Sequence, residues 1–318
     1  MKAAMRGKHE AGPPRRWRPT GATRTPWGAI LLFLTPGILL YLGFIIYPVL
    51  RTIYNSFHIL RVDQNMAQEF VGLRHFTELV SVDRVFRMAV EHSLLWAMVS
   101  PVLELSLAFT MAFLLYTRVP GWRIFRVAWF APLLLSGVVM GVLWKWIYNY
   151  DWGIVNLVLR AVGLDAFTSD WLGNPALAFP SLIGVTTWHS TGFNMVILLA
   201  AMFSISREVL DAAQVDGANT RQTVLYVMLP LLQRTLVTLA ILSFIGKMKQ
   251  FEVVWVMTRG GPSWSTETVA TYVFKRAFEW RTLDLGYPSA VAVLWFLVIL
   301  VLTLLFTRFL QRRDTLEF

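Results

Sequence analysis

Apolar residues along this chain come in long, nearly unbroken runs, not at the two-residue or 3.6-residue period of elements half-buried in a soluble core. Six runs, Ala29–Leu50, Ser93–Leu115, Val127–Ile147, Ala176–Phe203, Thr235–Met257 and Gly286–Thr307, reach the roughly 20 residues a helix needs to cross the hydrocarbon core of a bilayer. The pattern predicts an all-α polytopic membrane protein with six transmembrane helices. Its single folded unit covers residues 27–310, with a tail of residues 1–26 before it and one of residues 311–318 after it.

One segment between the fourth and fifth runs departs from this pattern. Glu208–Pro230 is polar and helix-prone. Ser206 is placed to cap a helix whose first turn holds Glu208, and Asp211-Ala212-Ala213 continues it on small, strongly helical residues. Gly217 is expected to stop or bend that helix, and Leu229-Pro230 to restart the chain as the fifth span. Small residues at Ala212, Ala213, Gly217 and Ala218 permit close approach of another surface. The segment lacks the Lys/Arg-rich polar face and Trp/Phe apolar face of a helix that lies on lipid, so a peg for a soluble partner is the preferred reading.

Composition agrees with a bilayer as solvent. Hydrophobic residues make up 56% of the chain and charged ones 15%, a balance at which a soluble enzyme would aggregate, and the many Trp and Phe suit rings parked at membrane interfaces. With no cysteine, disulfides and thiolate metal sites are excluded. The formal charge of +10 is spread by loop, which points to topology and not to a nucleic-acid-binding module. Lys2, Arg6, Lys8, Arg15, Arg16, Arg18 and Arg24 face one acid, Glu10, before the first run. Arg118, Arg123 and Arg126 follow the second, Arg207, Arg221 and Arg234 follow the fourth, and Arg308, Arg312 and Arg313 close the chain. The segments between these are balanced or acidic. Lys and Arg accumulate on the cytoplasmic side, so both termini and the Glu208–Pro230 helix are expected there. Arg15-Arg16 looks like a twin-arginine export signal, but the run after it continues into Tyr47-Pro48 without a small-residue cleavage site. A retained first helix follows, behind a disordered, topogenic basic tail that could touch anionic lipid.

Ionisable groups within a membrane cost several kcal/mol unless paired or hydrated, and few occur here. Glu104 lies midway along the second run, one turn beyond Pro101, where it must face another helix, a cavity or a partner; a structural lock fits as well as a functional role. Lys145, among Trp144, Trp146 and Tyr148, is placed to snorkel to the interface. In the fifth run Ser243, Lys247 and Gln250 share one helical face by their i, i+4, i+7 spacing, which suggests a wetted path. Lys249 and Glu252, off that stripe, are positioned to pair with each other. The fourth run offers a companion stripe, Thr186, His189, Ser190 and Phe193, beside Trp188 and Asn194. Such groups suit a polyhydroxylated solute, whose C–H faces stack on rings, yet Ser, Thr and Asn also serve as helix–helix contacts in bilayers. Packing and path are both open. The His residues are scattered, so no metal or acid–base centre emerges, and no Gly-x-x-x-x-Gly-Lys-Ser/Thr phosphate loop occurs.

Asp211-Ala212-Ala213, Gly217-Ala218 and Leu229-Pro230 together resemble the Glu-Ala-Ala … Gly … Leu-Pro loop of bacterial ABC importer permeases. Val71-Gly72-Leu73, Trp171-Leu172, Trp188, Gly192-Phe193 and Met257-Thr258-Arg259-Gly260-Gly261-Pro262 look like the carbohydrate-uptake branch, the maltose and glycerol-phosphate type of inner-membrane permease. The resemblance covers residues 27–310; the first motif position, usually Glu, is the shorter Asp211. It implies a multi-pass subunit of the bacterial cytoplasmic membrane. Its implied partners are a second, similar permease, two cytoplasmic ABC ATPase subunits and an extracytoplasmic solute-binding protein. No cofactor is expected in this chain, with ATP and Mg on the ATPase subunits. Asp211, Ala212, Ala213, Gly217, Ala218, Leu229 and Pro230 would then couple the permease to an ATPase. Similarity to maltose-type permeases places sugar contacts at His189, Ser190, Phe193, Ser243, Gly246, Lys247 and Gln250. Lys247 stands where those permeases have a neutral amide, and Glu252 where they have an aliphatic residue. The implied cargo is therefore a sugar or oligosaccharide, with an anionic polyol such as glycerol phosphate as the alternative. Two further classes stay in view: an ion-coupled secondary transporter working through Glu104, which would usually carry an internal repeat not seen here, and a membrane-embedded enzyme, which would need clustered Asp or His.

Overall fold

The computed structural model describes residues 27–61, 67–280 and 284–311. The tail expected at 1–26, and all but Gln311 of the one expected at 311–318, fall outside the described residues. The chain divides into two units, residues 1–50 and 51–318. In the first, helix α1 (Trp27–Tyr41) passes through a wide turn, Leu42–Ile46, into α2 (Tyr47–Asn55), which continues beyond Leu50. The large apolar side chains along α1, from Trp27 to Tyr41, are exposed. A lipid-solvated span requires this, because its backbone bonds are satisfied internally while its side chains dissolve in hydrocarbon.

The second unit opens with an antiparallel hairpin, β1 (His58–Arg61) on β2 (Ala67–Phe70), in register from His58 opposite Phe70 to Arg61 opposite Ala67. Asp284 holds the hairpin by accepting from Leu60 N at 2.8 Å. A short helix, α3 (Arg74–Ser81), then leads to α4 (Arg84–Tyr116). Asp83 caps α4, its Oδ1 accepting from Phe86 N at 2.9 Å. Along α4 the buried positions are mostly small: Ala97, Ser100, Ala108 and Ala112. Small side chains let helix backbones approach closely where no hydrophobic force drives association, and α4 packs along two partners, α8 and α12.

The third run is not one straight helix. It forms α5 (Trp122–Phe130), a tight turn at Ala131–Leu134 and α6 (Gly137–Ile147), the halves bent by 111°. Pro132 lacks the N–H that would continue the ladder, Leu135 is extended, and Ser136 caps the new start by accepting from Val139 N at 3.3 Å. After α7 (Ile154–Ala161) comes α8 (Pro175–Phe203), close to the expected fourth span.

The fifth run departs further from expectation. Helix resumes well before Thr235, through α9 (Arg207–Val215), α10 (Thr220–Gln222), a wide turn at Thr223–Met228 and α11 (Leu229–Leu231). The Thr220–Leu231 stretch then bends by 68° into α12 (Gln233–Met248). Pro230 removes one rung just before that bend. At the other end α12 stops at Met248, short of the predicted Met257, and α13 (Glu252–Met257) starts afresh. The carbonyls freed by this break find partners elsewhere: Trp295 Nε1 donates to Met248 O at 3.0 Å and Thr268 Oγ1 to Gln250 O at 2.9 Å. Helices α14 (Val269–Phe274) and α15 (Gly286–Gln311) complete the unit. Among the described residues, four helices are long and apolar enough to cross a membrane, and six spans result if each bent pair counts as one.

Three apolar clusters hold these elements. One joins Phe86 and Ala97 of α4 to Phe244 and Met248 of α12 and to Tyr272, Val291 and Trp295. A second packs Ala108, Ala112 and Leu115 against Met195, Leu198 and Met202 of α8 and Leu239 of α12. The third sets Trp96 with Met140 of α6, Leu182 of α8 and Val254 of α13.

Candidate functional site

The two polar stripes read from the fourth and fifth runs meet across one cavity of about 300 Å³. Helix α8 supplies His189, Ser190, Phe193 and Asn194, while α12 supplies Ser243, Gly246 and Lys247; Gln250 reaches the same cavity from just past the α12 break. All seven positions with a maltose-type counterpart therefore line one space. Thr186 and Trp188 do not: Thr186 is buried and accepts from Trp96 Nε1 at 3.3 Å, and Trp188 packs edge-on against Trp144.

The cavity wall also includes Glu104 of α4, and its position changes the meaning of Lys247. Both side chains are buried, and Lys247 Nζ forms an ion pair with Glu104 Oε1. Lys247 also donates to Ser190 Oγ at 3.1 Å, and Ser243 donates to Glu104 Oε2 at 2.6 Å. Three helices are joined by this network. Glu104 Oε1 is the atom that meets the ammonium, so both carboxylate oxygens are engaged. Sequence reasoning placed Glu104 against an unspecified partner, although the cost of a lone charge in hydrocarbon already argued for pairing it with the basic residue on another span.

Three further details shape the site. His189 Nε2 lies 3.1 Å from Leu135 O, so this cavity side chain also ties α8 to the break between α5 and α6. Gly246 leaves open space, with no atom within 4 Å of where a Cβ would stand. Phe193 is half-exposed, giving the cavity an aromatic face. Lys249 and Glu252, expected to pair on one helix, do not. Lys249 caps the end of α12 and Glu252 opens α13, with its carboxylate against Gly137 instead. The break at Gln250–Phe251 separates them.

At the opposite pole of chemistry lies the helix–turn segment around α9. Ser206 sits at the N-cap position but its side chain makes no bond to the helix backbone, contrary to expectation. Instead the Glu208 carboxylate takes its own backbone N–H and the Ser206 hydroxyl, which hold its pKa below the usual range. At the far end Gly217 N donates to Gln214 O at 3.0 Å and Ala218 N to Ala213 O at 3.0 Å, with Gly217 at φ +82°. That pair of bonds is a Schellman stop, which glycine serves best because a positive φ costs it nothing. Asp211, Ala212, Gly217, Leu229 and Pro230 are exposed; Ala213 and Ala218 are partly covered. Leu210 and Val224 pack this segment onto the second apolar cluster.

A larger cleft, about 730 Å³, lies elsewhere, between α3, the start of α4 and the start of α15. Its charges are matched: Asp83 accepts from Tyr287 Oη at 2.6 Å and from Tyr272 Oη, with Arg276 Nη2 at 3.4 Å. Burial works to raise the Asp83 carboxyl. The Phe86 N–H, both phenols and the Arg276 charge outweigh it and hold the group below its ordinary 3.8.

Residues 83–314 match the family described as "Binding-protein-dependent transport system inner membrane component". The chain belongs to this family. It is a transport subunit rather than an enzyme, ATP hydrolysis residing in partner subunits, so the membrane-enzyme reading is set aside and the resemblance to ABC importer permeases is borne out. The chain is 30% identical to the sulfoquinovosyl glycerol transport system permease protein of Agrobacterium fabrum, over 89% of this chain and 91% of that one. It is equally 30% identical to the trehalose/maltose transport system permease protein of Thermococcus litoralis, over 87% and 92%. Its fold is shared with a bacterial ABC transporter for the acidic polysaccharide alginate, with a TM-score of 0.77 and 22% identity over 90% of this chain and 96% of that one. The matched stretch, residues 83–314, contains both the cavity and the α9 segment.

Proposed function

We propose that this permease subunit crosses the bacterial cytoplasmic membrane six times with both ends in the cytoplasm. Within an importer it pairs with a second permease, two cytoplasmic ATPase subunits carrying ATP and Mg, and an extracytoplasmic binding protein. Its cargo is a sugar or oligosaccharide. Names of relatives support that class, and the observation that carries it is the convergence of hydroxyl, amide, imidazole and aromatic side chains from α8 and α12 on one cavity. Such walls answer a solute that offers many hydroxyls and a few C–H faces, and a mostly apolar concavity with few convergent polar groups is the usual form of a small-molecule site. The α9 segment, exposed and rigidly ended by Gly217, docks in a groove of one ATPase subunit through Asp211, Ala212 and Gly217, flanked by Ala213, Ala218, Leu229 and Pro230. Closure of the ATPases moves it and, through the second apolar cluster, rocks α4, α8 and α12 as packed elements.

Tagging the chain, extracting it from native membranes in mild detergent and identifying its companions by mass spectrometry tests the assembly. A nucleotide-binding ATPase together with a second permease is expected. A lone chain or homo-oligomer that still moves solute would replace this reading with the ion-coupled one.

A further inference from the structure

The Glu104–Lys247 pair raises a question that the cavity's shape alone leaves unanswered: which charge of cargo does it admit? Two observations bear on it. Lys247 has its charge met by Glu104 and one hydrogen bond taken by Ser190. Glu104 is 1% exposed, its Oε2 receives the Ser243 hydroxyl, its Oε1 meets the Lys247 ammonium, and the residue lines the cavity.

We propose that Glu104 determines the charge selectivity of the path: it neutralises Lys247 so that the cavity takes neutral polyhydroxylated solutes. The inference rests on the cavity being the cargo path. An incoming carboxylate or phosphate would have to share one ammonium with Glu104. That leaves an uncompensated negative charge in a water-poor interior, where such a charge is costly and nearby like charges strongly oppose each other. A neutral hydroxyl meets no such penalty. The carboxylate therefore sets which charge the cavity admits by holding the lysine neutralised.

The test uses the purified permease–ATPase complex in detergent, without binding protein, and equilibrium dialysis of two probes of equal ring number, maltotriose and trigalacturonate. Glu104→Gln frees the Lys247 charge. It should raise the ratio of trigalacturonate to maltotriose binding at least tenfold over the unmodified complex, and adding Lys247→Gln should abolish that gain. A ratio unchanged by Glu104→Gln, or trigalacturonate bound by the unmodified complex at least as well as by the variant, overturns the proposal. If Glu104→Gln does not assemble, Glu104→Gln/Lys247→Gln carries the decision: with both charges gone it should keep the ratio of the unmodified complex, and a ratio raised at least tenfold there overturns the proposal, because the gain is then not the lysine's. The underlying path reading is judged separately with Gly246→Trp, which fills the open space: unaltered uptake in cells would sink the path, whereas lost uptake with an unmoved charge ratio sinks only the role of Glu104.

Discussion

Gly192 offers the sharpest test of how the cavity is held in shape. It stands on α8 between His189 and Phe193, where α8 crosses the end of α5. A Cβ built there would lie 2.2 Å from Trp129 O and 3.2 Å from Phe130 Cα, so backbone meets backbone with no flexible side chain to yield. Ordinary contact begins near 3.4 Å, and Gly192→Ala must therefore push α8 and the α5–α6 break apart by about 1 Å. Overpacking of this kind costs about 1–3 kcal/mol. The same displacement lengthens the 3.1 Å contact of His189 with Leu135 O beyond hydrogen-bonding range, and carries Ser190 and Phe193 away from Lys247. Gly184→Ala, about two turns earlier on α8, is the matched control, because its Cβ would meet only the Tyr148 hydroxyl at 3.8 Å. Thermal melting of the detergent-purified complex, followed by size exclusion, should show Gly192→Ala losing its fold several degrees earlier while Gly184→Ala stays within error. Sugar uptake should fall in the first variant alone. If both melt together with the unmodified protein, the close crossing of α8 and α5 is wrong, and with it the geometry assigned to this wall of the cavity.

Other expectations follow from the remaining parts of the unit. Gly217→Asp should abolish uptake while the protein remains in the membrane, whereas Gly217→Asn, which tolerates the same left-handed backbone without adding charge, should keep part of it; normal uptake by Gly217→Asp would remove the coupling role. Asn156 is fully buried and binds Tyr150 O, Ser169 O, Ser169 N and Trp171 Nε1, so Asn156→Leu should cost about 1–3 kcal/mol for each polar group left unpaired. Faster hydrogen exchange confined to residues 149–171 would report it, and unchanged protection would refute it. For Asp83, whose folded pKa lies below 3.8, the stabilisation is complete above pH 3.8 and is lost as pH falls through the lower folded value. The melting advantage of unmodified protein over Asp83→Asn, of the order of 1.5–3 kcal/mol from hydrogen bonds to a charge, should accordingly be flat at neutral pH and shrink only in strong acid. A margin that shrinks already near pH 6 contradicts the cluster.

The apolar runs told where helices would lie because spanning a bilayer is a demand on local composition: some 20 consecutive side chains must prefer hydrocarbon. That requirement is met residue by residue and needs no partner, which is why α8 and α15 sit close to their predicted runs and α4 (Arg84–Tyr116) contains the predicted Ser93–Leu115. The stop at Gly217 was legible for the same reason, since a positive φ after Asp211-Ala212-Ala213 is a local need that glycine answers. Pro132 and Pro230 were equally visible, yet the bends of 111° and 68° beside them were not, because a proline permits a kink and only the neighbouring helices decide whether the chain takes it and in which direction. The same distinction runs through the site. Spacing put Ser243, Lys247 and Gln250 on one face, though α12 ends before Gln250 and the side chain reaches the cavity from a loop. Lys249 and Glu252 satisfied a helical pairing rule that lapsed when the helix broke. Above all, the sequence by itself established that Glu104 and Lys247 were charges in apolar surroundings, each needing an answer. That the two answer each other across 143 positions of chain was decided by the packing of α4 against α12, since side chains of different spans meet through tertiary geometry, which no local pattern encodes.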